Sequence, residues 1–370
     1  MGPGRVKLAL VTDAWAPQVS GVVTTMVNIS RQVRAVGHDV LMVTPEGFRT
    51  MPCPGYSEIR LALKPARRVY RMLEALRPDS VHIATEGPLG HAARRWCLRN
   101  DFPFATSYHT QFPEYIRLRA PVPLRASYAY LRRFHRPAHT TLVRTRTQKE
   151  LMKAHGFSHL KVWPGAVDTE LFYPRGKESL SLPRPIAMYM GRVAVEKNIG
   201  AFLDLDLPGS RVVVGGGPDL CKLQGKYPDA HFTGPKFGEE LARLLSAADV
   251  FVFPSRTDTL GLVMLEAMAC GIPVAAFPVP GPLDVIREGS TGAMDDDLSA
   301  AVYRALGLDG EACIEFAQYH SWQRSTQRFL KFQQSPTASG PVPVLAVDRA
   351  AETARDPGSG CAGDRTAPAG

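Results

Sequence analysis

Long apolar runs are missing from this 370-residue chain. Stretches such as Val250–Phe253 fall far short of the roughly 18 to 20 residues that a membrane-spanning helix requires. The amino-terminal segment carries Arg5 and Lys7 but no secretory apolar core, so a cytosolic protein is expected. Cysteine is sparse too. The six thiols (Cys53, Cys97, Cys221, Cys270, Cys313, Cys361) include no C-x-x-C pair and have no close histidine. That excludes a zinc site or a disulfide framework and leaves reduced thiols as the expectation. A dinucleotide fingerprint is also lacking: in Gly215-Gly216-Gly217-Pro218, the third glycine's place is taken by Leu220. There is no internal repeat at a solenoid period and no recognised nucleic-acid-binding module, so nucleic acid is not an expected partner.

What is present is the balance of a soluble globular chain, 45% hydrophobic and 21% charged, long enough for two or three domains. Its net charge of +9 is unevenly spread. Residues 1–180 hold 27 Lys+Arg against 13 Asp+Glu, a balance of +14, and residues 181–370 hold 17 against 22, a balance of −5. Opposite signs suggest two domains with different partners. An apolar run at residues 6–11 is followed by a loop with Pro17, Ser20 and Gly21, and then by Val22, Val23, Met26, Ile29 and Val33 at helical spacing. Similar runs at residues 40–44, 81–84, 104–108 and 140–143 predict a parallel sheet of strand-helix-strand units. A Pro/Gly/Ser-rich patch at 174–185 interrupts the cycle, which restarts at residues 186–190, 212–214, 250–253 and 273–276. The expected fold class is therefore α/β with two doubly wound domains. Residues 335–370 have few large apolar side chains and are expected to be a disordered tail.

Doubly wound sheets bind ligands beyond the carboxyl ends of their strands. After residues 186–190 come Gly191 and Arg192 and, five residues beyond Arg192, Lys197: two cations flanking a turn into a helix and able to reach one diphosphate. After residues 250–253, a loop leads into a helix expected at 261–269, where the backbone N–H groups of Gly261, Leu262 and Val263 would face an anion. Asp258 and Glu266 are eight residues apart and suit sugar hydroxyls, because an ionised carboxylate accepts hydrogen bonds. Glu266 sits among Leu262, Val263, Leu265, Met268 and Ala269, an apolar setting in which a carboxylate needs a partner. Gly215 and Gly217 read as a turn bordering a base pocket. The D-x-D of Asp204-Leu205-Asp206 closes a helix before Pro208, away from any strand end, and Asp295-Asp296-Asp297 reads as a solvated loop or helix start.

Gly191-Arg192-x-x-x-Glu196-Lys197-Asn198 together with Asp258-x7-Glu266 resembles the retaining GT-B glycosyltransferases of family 4. The opening Thr12-Asp13-x-Trp15-x-Pro17-Gln18-Val19-Ser20-Gly21-Val22-Val23, the Gly37-His38-Asp39-Val40 turn, Ser107-Tyr108-His109-Thr110, Val167-Asp168-Thr169-x-x-Phe172 and Ser321-Trp322 are similar to further parts of that family, in order over residues 6–332. Asp258 stands where the family often has Glu, and Leu260 where Phe is frequent. Similarity is greatest to bacterial GDP-mannose-dependent α-mannosyltransferases and to sulfoquinovosyl and glycosyl diacylglycerol transferases.

The resemblance implies a GT-B fold, two Rossmann-like domains facing each other across a cleft: 1–180 on the acceptor side, 181–315 for the nucleotide sugar, and 316–334 as a helix returning to the first domain. It implies Arg192 and Lys197 on the donor diphosphate, Glu266 on the ribose, Asp258 on the transferred sugar, Ser20 and Gly21 approaching the phosphates, and His109 near the anomeric carbon. It implies no cofactor and no metal, the donor being a GDP- or UDP-sugar and mannose the favoured hexose. The acceptor is a hydroxyl compound, with a lipid or lipid-linked glycan among the candidates. Rival readings are an epimerase or phosphorylase of the same architecture and an inactive nucleotide-sugar-binding protein. Six arginines (Arg117, Arg119, Arg125, Arg132, Arg133, Arg136) interleave with Tyr115, Tyr128, Tyr130 and Phe134. They suit an anionic membrane surface on the cytoplasmic side, or equally the charged face of an ordinary soluble helix.

Overall fold

The structure, a computed structural model, describes residues 5–18, 20–53, 56–117, 122–258 and 260–333. The expected tail at 335–370, and Val19, Arg119 and Cys361, lie outside the described residues. Its strands in chain order are β1 (Lys7–Val11), β2 (Asp39–Val43), β3 (Thr50–Cys53), β4 (Tyr56–Ala62), β5 (Ser80–Ile83), β6 (Phe104–Tyr108), β7 (Thr140–Val143), β8 (Leu160–Val162), β9 (Ile186–Met190), β10 (Ser210–Val214), β11 (His231–Gly234), β12 (Val250–Phe253), β13 (Val274–Ala276) and β14 (Gly292–Met294).

Two six-stranded sheets form, in the orders β2-β1-β5-β6-β7-β8 and β11-β10-β9-β12-β13-β14, every pairing parallel. β5, β6, β9 and β12 are buried at every residue, which is why they read as unbroken apolar or small-residue runs: helices cover both faces of such sheets. In the second sheet the chain builds outward from β9 through β10 and β11, then crosses back to place β12 on the other side of β9. The point of reversal lies between β9 and β12, where a doubly wound sheet opens a crevice at its carboxyl edge. In the first sheet the reversal falls between β1 and β5.

The chain passes between the two bodies gradually. Trp163 packs with Leu8, Leu10 and Met26 of the first, whereas Val167 and Phe172 already belong to the core around β9 and β12. The helix Trp322–Gln333 returns to the first body. Its Ser325 accepts hydrogen bonds from Trp163 Nε1 at Oγ (2.9 Å) and at the backbone oxygen (3.1 Å), and Phe329 lies 5.0 Å from the Trp163 ring.

Candidate active site

Both loops singled out in the second domain leave the sheet at its point of reversal, one after β9 and one after β12. Tyr189, the penultimate residue of β9, donates from its hydroxyl to the Arg192 backbone oxygen at 2.8 Å and so pins the first loop. A short 3-10 turn, Val195–Lys197, then presents Lys197. The loops are stitched together by Asn198 Nδ2 donating to the Pro254 oxygen (3.1 Å) and by the Ser255 hydroxyl donating to the Glu196 oxygen (3.3 Å). Gly215 and Gly217 lie against the same loop. A Cβ on Gly215 would fall 1.8 Å from the Gly191 oxygen, and one on Gly217 would fall 2.2 Å from the Val193 oxygen. Their close backbone approach is therefore what shapes the floor under Arg192.

Lys197 Nζ contacts both oxygens of Asp258, at 2.6 and 2.8 Å, and both side chains are largely buried. Burial works against the ammonium, but Asp258, Tyr189 and Glu196 outweigh it and raise the Lys197 pKa above its ordinary value. Arg192 forms an ion pair with Glu58, which β4 brings from the first domain. Gly261 opens the helix Leu262–Ala269 from a left-handed conformation (φ 77°), packed so closely on the Phe253 ring that a Cβ would come within 2.8 Å. Leu262 and Val263 follow it at the helix start, and Leu262 lies 3.3 Å from where a Cβ on Gly21 would stand. Glu266 sits a turn further on, its pKa pushed up to about 7 by burial.

From the first domain, Ser20 caps the helix Gly21–Ala35 by accepting from the Val23 N–H at 3.4 Å, and Gly21 starts that helix. Gln111 Nε2 donates to the Asp258 backbone oxygen at 3.1 Å and closes one side of the cleft. His109 belongs to a hydrogen-bonded chain. Gln333 Nε2 donates to His82 Nδ1 (3.2 Å), which leaves the His82 proton on Nε2, 3.0 Å from the Ser107 hydroxyl oxygen. Ser107 then donates to His109 Nε2 at 2.7 Å, so His109 carries its proton on Nδ1. Burial, reinforced by the nearby Arg144, holds the His109 pKa well below the ordinary value, and burial takes His82 down to about 3. Across the switch point of this sheet, Asp13 accepts from the N–H groups of Leu89 (2.8 Å) and Gly90 (3.2 Å) and from the Thr85 hydroxyl (2.9 Å), tying the loop after β1 to the helix Pro88–Arg99.

A profile described as Glycosyltransferase Family 4 matches residues 19–171, and one described as Glycosyl transferases group 1 matches residues 184–307. A GDP-mannose-dependent alpha-mannosyltransferase of Mycobacterium tuberculosis is 32% identical over 78% of this chain and 83% of its own length. The chain belongs to glycosyltransferase family 4. Sulfoquinovosyl transferase SQD2 of Arabidopsis thaliana is also 32% identical, over 90% of this chain and 74% of its own. Among solved structures, the sucrose-phosphate synthase of Thermosynechococcus elongatus superposes with a TM-score of 0.71 at 22% identity, covering 89% of this chain and 98% of that one. That likeness places the fold as GT-B, and this family 4 protein is a glycosyltransferase.

Sequence reasoning set Lys197 and Asp258 on two separate loops, which the structure joins by an ion pair, with Arg192 on the first loop and Glu266 on the helix after the second. It passed over Glu58, Gln111 and Arg144. Glu58 and Gln111 act across the cleft, and nothing in their sequence neighbourhood marks that. Arg144 directly follows the buried strand β7, so the rule that ligands gather at strand carboxyl ends was signal enough to find it.

Proposed function

We propose that this glycosyltransferase moves a hexose, mannose in the favoured case, from a GDP- or UDP-sugar to a hydroxyl acceptor with retention at the anomeric carbon. The observation that carries the reading is the buried Lys197–Asp258 pair beside Arg192 at the point of reversal of the second sheet. Cations so placed stabilise charge developing on a leaving diphosphate, and a preorganised charge of this kind is worth far more in a shielded cleft than in water. Arg192, Lys197 and the amides at Gly261 and Leu262 meet that charge, so no divalent cation is assigned a role. Among the described residues no cluster of His, Cys, Asp or Glu has the makings of a metal site. Glu266 takes the ribose, Asp258 the sugar hydroxyls, and the region around Ser20 and Gly21 closes on the phosphates. His109 stands at the reacting centre. We assign no general base: in front-face displacement, the departing phosphate oxygen takes the acceptor proton.

Residues 1–180 would serve the acceptor and 181–315 the donor. The named mannosyltransferase relative supports GDP-mannose as donor. A lipid acceptor has the support of an alpha-monoglucosyldiacylglycerol synthase of Acholeplasma laidlawii, 26% identical over 73% of this chain and 79% of its own. In this reading access to lipid is peripheral, from the cytoplasmic side; no helix among the described residues is long and apolar enough to cross a membrane.

The test pairs binding with turnover. Thermal shift against GDP-mannose, UDP-glucose, UDP-galactose and UDP-sulfoquinovose should single out one donor, since stabilisation follows the logarithm of ligand concentration over Kd. Lys197→Ala and Arg192→Ala should then each lower kcat with that donor by about 100- to 1,000-fold. Unchanged turnover in both removes the diphosphate assignment, and a free epimer or sugar phosphate as product replaces transfer by a different reaction.

A further inference from the structure

Arg144 and Gln148 stand out by what surrounds them. Arg144 is 4% exposed and Gln148 1%, and among the described residues neither Arg144 Nη1, Arg144 Nη2 nor Gln148 Nε2 has a hydrogen-bond acceptor. The Gln148 amide orientation is fixed, because its Oε1 accepts from the Arg144 backbone N–H at 2.8 Å. The guanidinium carbon lies over the Trp163 ring, 4.6 Å from its centroid, and the Trp163 and His109 ring centroids are 6.0 Å apart. Three buried donors without acceptors thus belong to two residues joined through the Arg144 backbone N–H at the carboxyl end of β7.

Keeping an unpaired cation out of water is costly, and an apolar side chain could pack on Trp163 without that cost. The donor diphosphate has its own cations, Arg192 and Lys197, on the opposite wall. We propose that Arg144 and Gln148 form an anion-recognition pocket for the acceptor, taking a carboxylate or phosphate group that the acceptor carries near its reacting hydroxyl. The planar fork of arginine fits both groups through paired N–H donors. Arg146 and Thr147, close behind in the chain, donate their backbone N–H groups to Asp284 of the second domain (3.0 and 3.1 Å), so Arg144 stands next to a contact between the domains.

This rests on reading the first-domain side of the cleft as the acceptor side, and the experiment separates the two failures. Chemical-shift titrations of the full chain with GDP present compare methyl glucuronide with methyl glucoside, and glycerol 1-phosphate with glycerol. One charged probe should bind at least tenfold more tightly than its neutral partner, and the winning pair identifies carboxylate or phosphate. Arg144→Met should abolish that preference, leave the GDP affinity in place and raise Tm, because it deletes a buried unpaired charge. Gln148→Leu should reduce the preference while keeping the guanidinium, and it carries the test alone if Arg144→Met does not fold. Equal binding of charged and neutral probes by the parent, or an undiminished preference in both variants, overturns the pocket. Failure of the parent to bind either GDP or UDP instead overturns the donor reading and leaves the probe comparison intact.

Discussion

A carboxylic acid held at a pKa of about 7 is half protonated where the cell works, and Glu266 is such an acid. With Glu266 on the ribose, as proposed, the ribose hydroxyls donate to its carboxylate, so nucleotide binding favours the ionised form and releases a proton wherever Glu266 was protonated beforehand. Nucleoside diphosphate affinity should therefore climb between pH 5.5 and 7.5 more steeply in the parent than in Glu266→Gln, whose amide does not titrate. Calorimetry across that range checks it, with the mutant correcting for titration of the phosphate itself, and parallel curves would remove Glu266 from the ribose site. The folded state carries the opposite trend. A raised carboxyl pKa means that the native state holds the proton longer than the unfolded chain, so this group's contribution to stability declines as pH rises from 4.5 towards 7. Binding tightens over the range in which the empty site weakens the fold. Glu266 was legible because a carboxylate inside an otherwise apolar helix asks for a reason. Arg144, at the carboxyl end of β7, is open to the strand-end rule, but the burial that sets it apart from the other arginines of a basic half is a property of the fold.

At the scale of elements, the two glycines of the β10 loop make a sharp contrast with a third. Gly215 and Gly217 each face a backbone oxygen of the Gly191–Val193 segment, which has no side-chain freedom with which to give way, and both have positive φ. Gly215→Ala should cost roughly 2 to 4 kcal/mol and displace Arg192 with the loop it rests on. Gly225 lies within the helix Leu220–Lys226 with nothing within 4 Å of an added Cβ. Gly225→Ala should stabilise by about 0.5 to 1 kcal/mol, through lower backbone entropy of the unfolded chain. Thermal melts of the two variants beside the parent check both signs at once. A turn at 215–217 is legible in the sequence; that it serves as the seat of the Arg192 loop follows only from the fold. The same division runs through the strands. β6, β7, β9 and β12 were readable to the residue as buried runs, whereas β3, β11 and β14 are short or polar and gain their strand character from the partner they pair with.

The two halves of the molecule differ in the sign of their charge. Under the proposed function the second domain needs only a few cations for a donor diphosphate, while the first carries a surplus of +14 over residues 1–180. Part of that surplus lies on the helix Leu124–His135, which buries Ser127, Tyr128, Leu131, Phe134 and His135 and turns Arg125, Arg132 and Arg133 outward, with Arg136 at its end. Phe112 and Ile116 of the preceding helix, Val122 and Tyr130 are exposed nearby in the chain, an apolar fringe that a purely solvated helix has no use for. Cations beside exposed apolar side chains are the pattern of a surface that rests on anionic lipid. Each arginine near such a surface contributes about 1 kcal/mol, and the attraction fades beyond a Debye length of about 8 Å at physiological salt. Arg132 is unsuited to the test, because it donates to the His155 oxygen at 2.8 Å and supports the fold. Arg125→Ser, Arg133→Ser and Arg136→Ser combined should lower the affinity for phosphatidylglycerol vesicles, read by sedimentation, by about 100-fold, following from three such contacts, and leave binding of the nucleotide sugar untouched. Parent binding should fall as salt rises from 50 to 500 mM and be absent with phosphatidylcholine alone. If the parent ignores phosphatidylglycerol vesicles at low salt, the helix is an ordinary charged face. The acceptor then comes to the cleft from solution, and the exposed aromatic fringe has to be explained by a protein partner.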